Sequence, residues 1–332
     1  LIKKKHKILD KISDSVILVV SHHTTEVPMS VNLGYACINM TLQEQKISCN
    51  RGMIKRTFQA KGVKYASEIA LSNVRALKKI IEWNNANGIK VYRMTSCLFP
   101  WFSEYDIFTL PDIDAIADVM SEAGEIAMSG GQRLSFHPGP FNCLGSPKDD
   151  VVLKTVAELD AHSVQMDLMG LPQSPQAKIN IHVGGAYGEH DKTLDRFCSN
   201  FSRLSPSTQS RLTVENDDRE SLFSTKMLYD GLSSRIGVPI VFDSHHHELG
   251  PQDVSYKEAF FMARETWQNR GVKQQCHHSN SKKKYEDDSV RANAHSDWYY
   301  TPFENFGKEV DVVLECKMKE RALLKYRQDF QN

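Results

Sequence analysis

The sequence lacks several things that would each have pointed elsewhere. No run approaches the ~20 apolar residues needed to cross a membrane, and the longest strand-like apolar stretch near the start, Ser15–Val20, is too short and has no small-residue cleavage site after it. Cysteine forms no CxxC pair: the seven thiols (Cys37, Cys49, Cys97, Cys143, Cys198, Cys276, Cys316) are odd in number and scattered. A disulfide frame and a zinc ribbon are therefore excluded, and an intracellular protein with reduced thiols is expected. Charge of one sign is also missing. Lys and Arg total 41, Asp and Glu total 41, so any contact with nucleic acid must come from a local patch. No Gly-rich phosphate turn follows the first strand, which removes the usual mark of an open dinucleotide-binding sheet.

What is present is a repeated unit, an apolar run ending in His, Asp or Glu. Its instances are Arg133–His137, Lys178–His182, Arg211–Glu215, Val238–Asp243 and Val310–Glu315. Helix-length segments separate them. Apolar residues spaced by three and four predict helices over 68–85, 112–128, 149–168, 192–204, 219–232 and 256–267. The runs at 33–37, 90–94, 133–137, 178–182, 212–215, 238–243, 272–277 and 310–315 predict eight strands. Strand and helix alternating about eight times argue a single TIM-type (β/α)8 barrel in the α/β class. It occupies 31–332, and residues 1–30 form an N-terminal extension with its own strand-like run and an unassigned pair, His22 and His23. The polar segment between His278 and Val310 predicts a long loop with a short helix near 297–306.

Such barrels carry their sites at the C-terminal ends of the strands, where these side chains fall. His, Asp and Glu are the N and O donors of divalent metals. His137 is followed by a Pro-Gly turn, and His182 by Val-Gly-Gly-Ala-Tyr-Gly, a loop whose backbone can approach a phosphate closely. Asp243 precedes His245, His246 and His247, of which not all can face one site. Metal ions held there could serve an in-line phosphoryl displacement. They could equally hold a sugar's hydroxyls for isomerisation or epimerisation, and spacing does not choose.

The motifs Leu33-Gly-Tyr-Ala-Cys-Ile-Asn39, Phe136-His-Pro-Gly139, His182-Val-Gly-Gly-Ala-Tyr-Gly188, Glu215-Asn-Asp217, Asp243-Ser-His-His-His247, His277-His-Ser279, Ala294-His-Ser-Asp297 and Glu315-Cys-Lys317 occur in one order. That order resembles the ultraviolet damage endonucleases over about 33–323. The resemblance implies a metal-dependent endonuclease that cuts duplex DNA immediately 5′ to a photolesion and leaves a 3′-hydroxyl. It implies two or three divalent ions, manganese foremost, with magnesium, zinc or cobalt as alternatives. The residues it marks for metal are His137, His182, Glu215, Asp243, His246, His277, His295 and Glu315, with Glu104 as an added candidate. Glu215, His182 and Asp243 are marked as catalytic. Tyr35, Asn39, Pro140 and Phe141 fall where lesions are probed, with Tyr35 and Phe141 expected on loops above the metals. Lys282, Lys283, Lys284 and Lys317 are candidate phosphate contacts. Three positions depart from the family: Pro140-Phe141 replaces Gln-Tyr, Glu104 replaces His, and Gln275 stands where Lys can occur. A non-catalytic binder of damaged DNA is the alternative these departures raise. Nothing in the sequence points to an obligate protein partner.

Overall fold

The computed structural model describes residues 31–331. The expected strand at Ser15–Val20 and the pair His22 and His23 lie outside the described residues. In chain order the elements are β1 (Val31–Cys37), α1 (Met40–Glu44), α2 (Lys55–Ala86), β2 (Val91–Met94), α3 (Ile113–Ser129), β3 (Arg133–Ser135), α4 (Asp149–Leu168) and β4 (Ile179–Ile181). There follow α5 (His190–Phe201), α6 (Pro206–Arg211), β5 (Leu212–Glu215), α7 (Thr225–Leu228), α8 (Ser234–Ile236), β6 (Ile240–Asp243), α9 (Ser244–Leu249) and α10 (Tyr256–Glu265). The chain ends with β7 (Gln275–His278), α11 (Lys282–Tyr285), β8 (Val310–Leu314) and α12 (Lys319–Phe330).

All eight strands run parallel, in the order β3-β2-β1-β8-β7-β6-β5-β4. The seam between β3 and β4 is narrow. There Phe136 bridges to Ile179, with the Phe136 N–H donating to Lys178 O at 2.9 Å and the Asn180 N–H to Phe136 O at 3.0 Å. This makes a nearly closed barrel, as the strand–helix alternation predicts. Helices cover the outside, so the strands are buried on both faces and read as short apolar runs such as Ile240-Val-Phe. α3 shows why the outer layer forms: Ile116, Met120, Ala123 and Ala127 recur at spacings of four and three, and all are buried. Among the described residues no helix is long and apolar enough to cross a membrane.

Three expectations are corrected. α2 begins at Lys55, well before residue 68, and Gly62 interrupts it at φ 65°. Its first turns are exposed and charged, so apolar spacing cannot reveal them. The helix expected from Arg219 begins only at Thr225, because Asp217 ties down the preceding loop: its N–H donates to Phe223 O at 2.9 Å and its Oδ2 accepts from Phe223 N at 3.3 Å. No helix forms near 297–306. The Glu286 carboxylate instead takes the backbone N–H groups of Asp297 and Trp298 at 2.8–3.1 Å, and the helix in this loop is α11.

Candidate metal centre

Because the strands are parallel, their C-terminal ends share one face of the barrel. Three groups of donor atoms converge there: His137, His182 and Glu215; Glu215, Asp243 and His246; and Asp243, His277 and Glu315. Within each group the donor atoms lie within 4.8 Å of one another. Glu215 belongs to the first two and Asp243 to the last two. Two carboxylates therefore link three pockets into one chain.

Each side chain is held by its own strand end. Glu215 is the last residue of β5 and is 1% exposed. Its Oε2 lies 3.1 Å from His137 Nε2 and 3.1 Å from His277 Nδ1, and its Oε1 lies 3.3 Å from His246 Nδ1. Below it, Asn180 donates to Oε2, and Thr213 donates to Asn180 Oδ1 at 2.8 Å. Asp243 ends β6 and caps α9: its Oδ1 accepts from the His246 N–H at 2.8 Å. Asn216 clamps the backbone at Asp243, accepting from its N–H at 2.9 Å and donating to its carbonyl at 3.0 Å. Glu315 is ion-paired with the half-buried Arg93 of β2.

The fit of this donor set to cations can be tested on atoms left over. Asp243 Oδ2, His182 Nδ1, His277 Nδ1 and Arg93 Nε are buried without a hydrogen-bond partner. His277 Nδ1 sits 3.0 Å from Glu315 Oε1, and His182 Nδ1 sits 3.1 Å from Asp217 Oδ1, yet neither is aligned to bond. Leaving such atoms unmatched costs of the order of 1–3 kcal/mol each. Donor atoms that crowd together without bonding one another are what divalent cations require, so the residues fit. His137 adds a tautomer argument. Its Nδ1 faces Pro138 O at 3.2 Å, and a carbonyl only accepts, so Nε2 carries the lone pair and faces Glu215. His246 Nδ1 likewise faces Asn216 O at 3.0 Å and leaves Nε2 for ligation.

Electrostatics agree with the geometry for the carboxylates and His137, whereas against burial Glu215 and Asp217 draw His182 upward, and Asp243 and Glu215 draw His246 upward. Burial would raise the Glu215 pKa, but the imidazoles packed round it, His277 first and then His182, outweigh it and hold the carboxyl well below its ordinary range. Glu315 is held low in the same way, by Arg93 and then His277 against burial. Burial pushes His137 down to about 4, which keeps it neutral. Ionised carboxylates and neutral imidazoles are the ligating forms.

The other expected site residues divide. His295 is half-buried, lies outside the three groups and bonds Ser279 Oγ through Nδ1 at 2.8 Å; its ring centroid is 6.5 Å from that of His246. Glu104 is exposed in a short 3-10 turn and joins none of the groups. Pro140 and Phe141 project from the loop after β3, and Phe141 is 88% exposed. Tyr35 is a correction. It is an interior residue of β1, 0% exposed, and its hydroxyl donates to Asn84 at 2.8 Å and accepts from Asn39 at 2.9 Å. Tyr35 lies within the strand rather than on the loop beyond it, and a partner on α2 satisfies the phenol inside the fold. Asn39 is buried with it and caps α1. Lys282 pairs with Asp297 at 3.0 Å, Lys283 donates to Asp288 O at 2.9 Å, and Lys284 lies 5.0 Å over the Tyr285 ring. Lys317 is exposed just beyond β8.

Sequence reasoning misses Arg93, Asn180, Asn216 and Asp217 as parts of the site. The signal for the first two is a charged or amide residue inside an apolar strand, at the parity that faces the barrel axis. A cavity of ≈ 390 Å³ adjoins the cluster, lined by Pro140, His182, Gly184, Asp218, Arg219 and Leu222 among others. Gly184 is needed on its wall: its φ is +94°, and a Cβ there would meet Cys143 Sγ at 2.5 Å.

Comparison with known proteins bears on this arrangement. The family model described as UV-endonuclease UvdE matches residues 31–332. The UV-damage endonuclease of Schizosaccharomyces pombe is 32% identical over 318 residues, covering 92% of this chain and 52% of that protein. The chain thus spans about half the length of that relative. The UV DNA damage endonuclease of Clostridium perfringens is 29% identical over 301 residues, covering 89% of this chain and 69% of that one. The crystal structure of SacUVDE superposes with a TM-score of 0.78 at 26% identity, covering 91% and 98% of the two chains. The 3-keto-D-glucoside 4-epimerase YcjR of E. coli reaches a TM-score of 0.51 at 9% identity and shares the barrel fold alone. The chain belongs to the UV-endonuclease UvdE family.

Proposed function

We propose that this protein is a metal-dependent DNA repair endonuclease that hydrolyses the phosphodiester bond immediately 5′ to an ultraviolet photolesion and leaves a 3′-hydroxyl. The observation that carries this reading is the chain of three donor groups joined by Glu215 and Asp243, with the exposed Phe141 four residues beyond the donor His137. Bound there, two or three divalent ions, manganese foremost, supply a nucleophile at neutral pH and charge stabilisation for the attacking and leaving oxygens.

The chain's own residues do the rest. His137, His182, His246, His277, Glu215, Asp243 and Glu315 hold the ions, while Asn180 orients the central carboxylate and Asn216 fixes the strand end that carries Asp243. The cavity beside His182 takes the sugar and phosphate next to the scissile bond, against the backbone of Gly184 and Gly185. Phe141 has no packing role to account for it, and an exposed aromatic ring can stack on an unpaired base or wedge into a step. A lesion that already disturbs stacking is cheaper to extrude than a sound pair, which gives selectivity without sequence reading.

The test is an end-labelled duplex with one defined photolesion, set beside its undamaged twin. Incision only in the lesioned strand, only with added Mn²⁺ and not with chelator, is expected. The product should map to the 5′ side of the lesion and be extended by a polymerase without trimming. Equal cutting of both duplexes, or full activity in chelator, sinks the reading.

A further inference from the structure

The chain has no net charge, yet between Gln45 and Ser67 it carries Lys46, Arg51, Lys55, Arg56, Lys61 and Lys64 and not one Asp or Glu. All six cations are exposed. Among the described residues none of them forms an ion pair. Elsewhere exposed cations are interspersed with acids, and some are matched to them, as Lys192 is to Glu189, Lys226 to Asp230 and Arg235 to Asp195. Six unmatched like charges repel one another, and the fold gains nothing from keeping acids out of this stretch.

The segment is also held in place. The buried Asn73 accepts from the Arg51 N–H at 3.0 Å and donates to Arg51 O at 2.9 Å and Leu98 O at 3.0 Å, which ties the loop after β1 to the loop after β2. Trp101 Nε1 donates to Met53 O at 2.8 Å, and its ring stacks with Phe58 at 6.0 Å. A groove of ≈ 470 Å³ next to it adds Arg75 and Lys79 to Lys46 and Arg51, four cations against the carboxylates of Glu68 and Asp112. The loop after β1 leaves the barrel on the same face as the metal centre, because all eight strands are parallel. β1 itself lies between β8, which leads into Glu315, and β2, which carries Arg93.

We propose that residues 45–67 form a phosphate-contacting wall beside the barrel mouth that holds the backbone of a DNA duplex away from the cut. The inference rests on the DNA substrate proposed above and adds to it a second surface that none of the metal-centre residues supplies. The stretch of α2 before the break at Gly62 rises about 10 Å, and duplex DNA carries one charge per about 1.7 Å of axis. Lys55, Arg56, Lys61 and Lys64 can therefore meet several phosphates at once, fixing orientation without reading sequence.

The test compares two charge-matched quadruple variants. One is Lys55→Gln, Arg56→Gln, Lys61→Gln and Lys64→Gln. The other changes the ion-paired Lys192, Lys226, Arg235 and Lys325 to Gln. Binding of each to an undamaged 30-base-pair duplex is measured by anisotropy in chelator across a salt series. Every phosphate that a variant no longer neutralises should flatten the plot of log affinity against log salt by about 0.9. The wall variant should therefore lose at least about two units of slope, and the control none. An unchanged slope in the wall variant, or equal losses in both, overturns the wall. So does a wild type that ignores duplex DNA but binds phosphatidylserine vesicles. A wild type that binds duplex with the expected slope but never nicks damaged DNA leaves the wall standing and removes the endonuclease reading instead.

Discussion

The barrel interior holds two buried polar layers that differ in how completely they are matched. At the entry end of the strands, Arg133 of β3 pairs with Asp311 of β8 at 3.0 Å. Its other donors reach Pro175 O at 2.7 Å, Lys273 O at 2.8 Å and Gln176 O at 3.2 Å. Asn32 donates to the second Asp311 oxygen at 2.9 Å. Every side-chain nitrogen of that arginine has a partner. At the exit end, Arg93 and Glu315 form the corresponding pair, but Arg93 Nε, Asp243 Oδ2, His182 Nδ1 and His277 Nδ1 have none. Arg133 and Asp311 are matched within the chain and serve stability, although the buried Gln275 amide of β7, in register with Asp311, has no partner. The exit layer leaves polar atoms unmatched, and it lies at the end where barrels of this kind carry their sites.

The largest break in this contrast is expected from Glu215→Gln. The amide keeps the shape but removes the charge shared by two donor groups. Nicking of lesioned duplex should fall by at least about a hundredfold, beyond the 10–100-fold typical of residues that only support ligands. Manganese stoichiometry, read by metal analysis after desalting, should fall with it. Retained stoichiometry and rate would show that Glu215 is structural.

Arg133→Met should do the reverse. It leaves the buried Asp311 without its countercharge and with Asn32 as its remaining side-chain donor, at a cost of about 3–5 kcal/mol in unfolding free energy. Nicking per folded molecule should stay the same, because the exit layer is untouched. If activity drops while denaturant unfolding is unchanged, the two layers are not separable.

The two layers are not equally legible in sequence. The ligand tips can be read because each is a polar residue closing an apolar strand, and parallel strands in a closed barrel bring such ends together. Arg133 and Asp311 cannot be paired that way. They are 178 residues apart, and each looks like the charged flank of its own strand. Tyr35 shows the same limit from the other side. Its strand parity is clear, but whether its hydroxyl reaches solvent or Asn84 on α2 depends on a contact 49 residues away. The loop after β7 is organised by Glu286, which collects backbone N–H groups eleven and twelve residues onward. No periodicity announces such a contact, so the lysines around it look freer in sequence than they are in the fold.

Phe141→Ala sharpens the contrast at the mouth of the exit layer. The ring is almost wholly exposed, so unfolding free energy should move by no more than about 0.5 kcal/mol. Base–aromatic stacking is worth about 1–3 kcal/mol, so affinity for lesioned duplex should fall roughly tenfold to a hundredfold. Metal content should not change. Equal loss of affinity for damaged and undamaged duplex would make Phe141 a general contact rather than a lesion probe.

The smallest effect concerns Lys178, which lies between the layers. It is fully buried at the foot of β4, with Nζ 3.5 Å from His277 Nε2 and, among the described residues, no carboxylate within ion-pairing distance. Burial pulls its pKa down to about 7, against the opposing pull of Glu215. In the unfolded chain the same amine titrates near 10.4. Between these values the unfolded state binds the proton and the folded state does not. Folding stability should therefore rise with pH across roughly 7 to 10, by up to about 1.4 kcal/mol per pH unit from this group. Lys178→Met fills the same space without an amine and should flatten that slope. Urea unfolding of both proteins in chelator, from pH 7 to 9.5, reads the difference directly. Parallel curves would mean that Lys178 keeps its proton in the folded state, and that the middle of the barrel holds an ion matched by the Glu215 charge above it rather than a neutral amine.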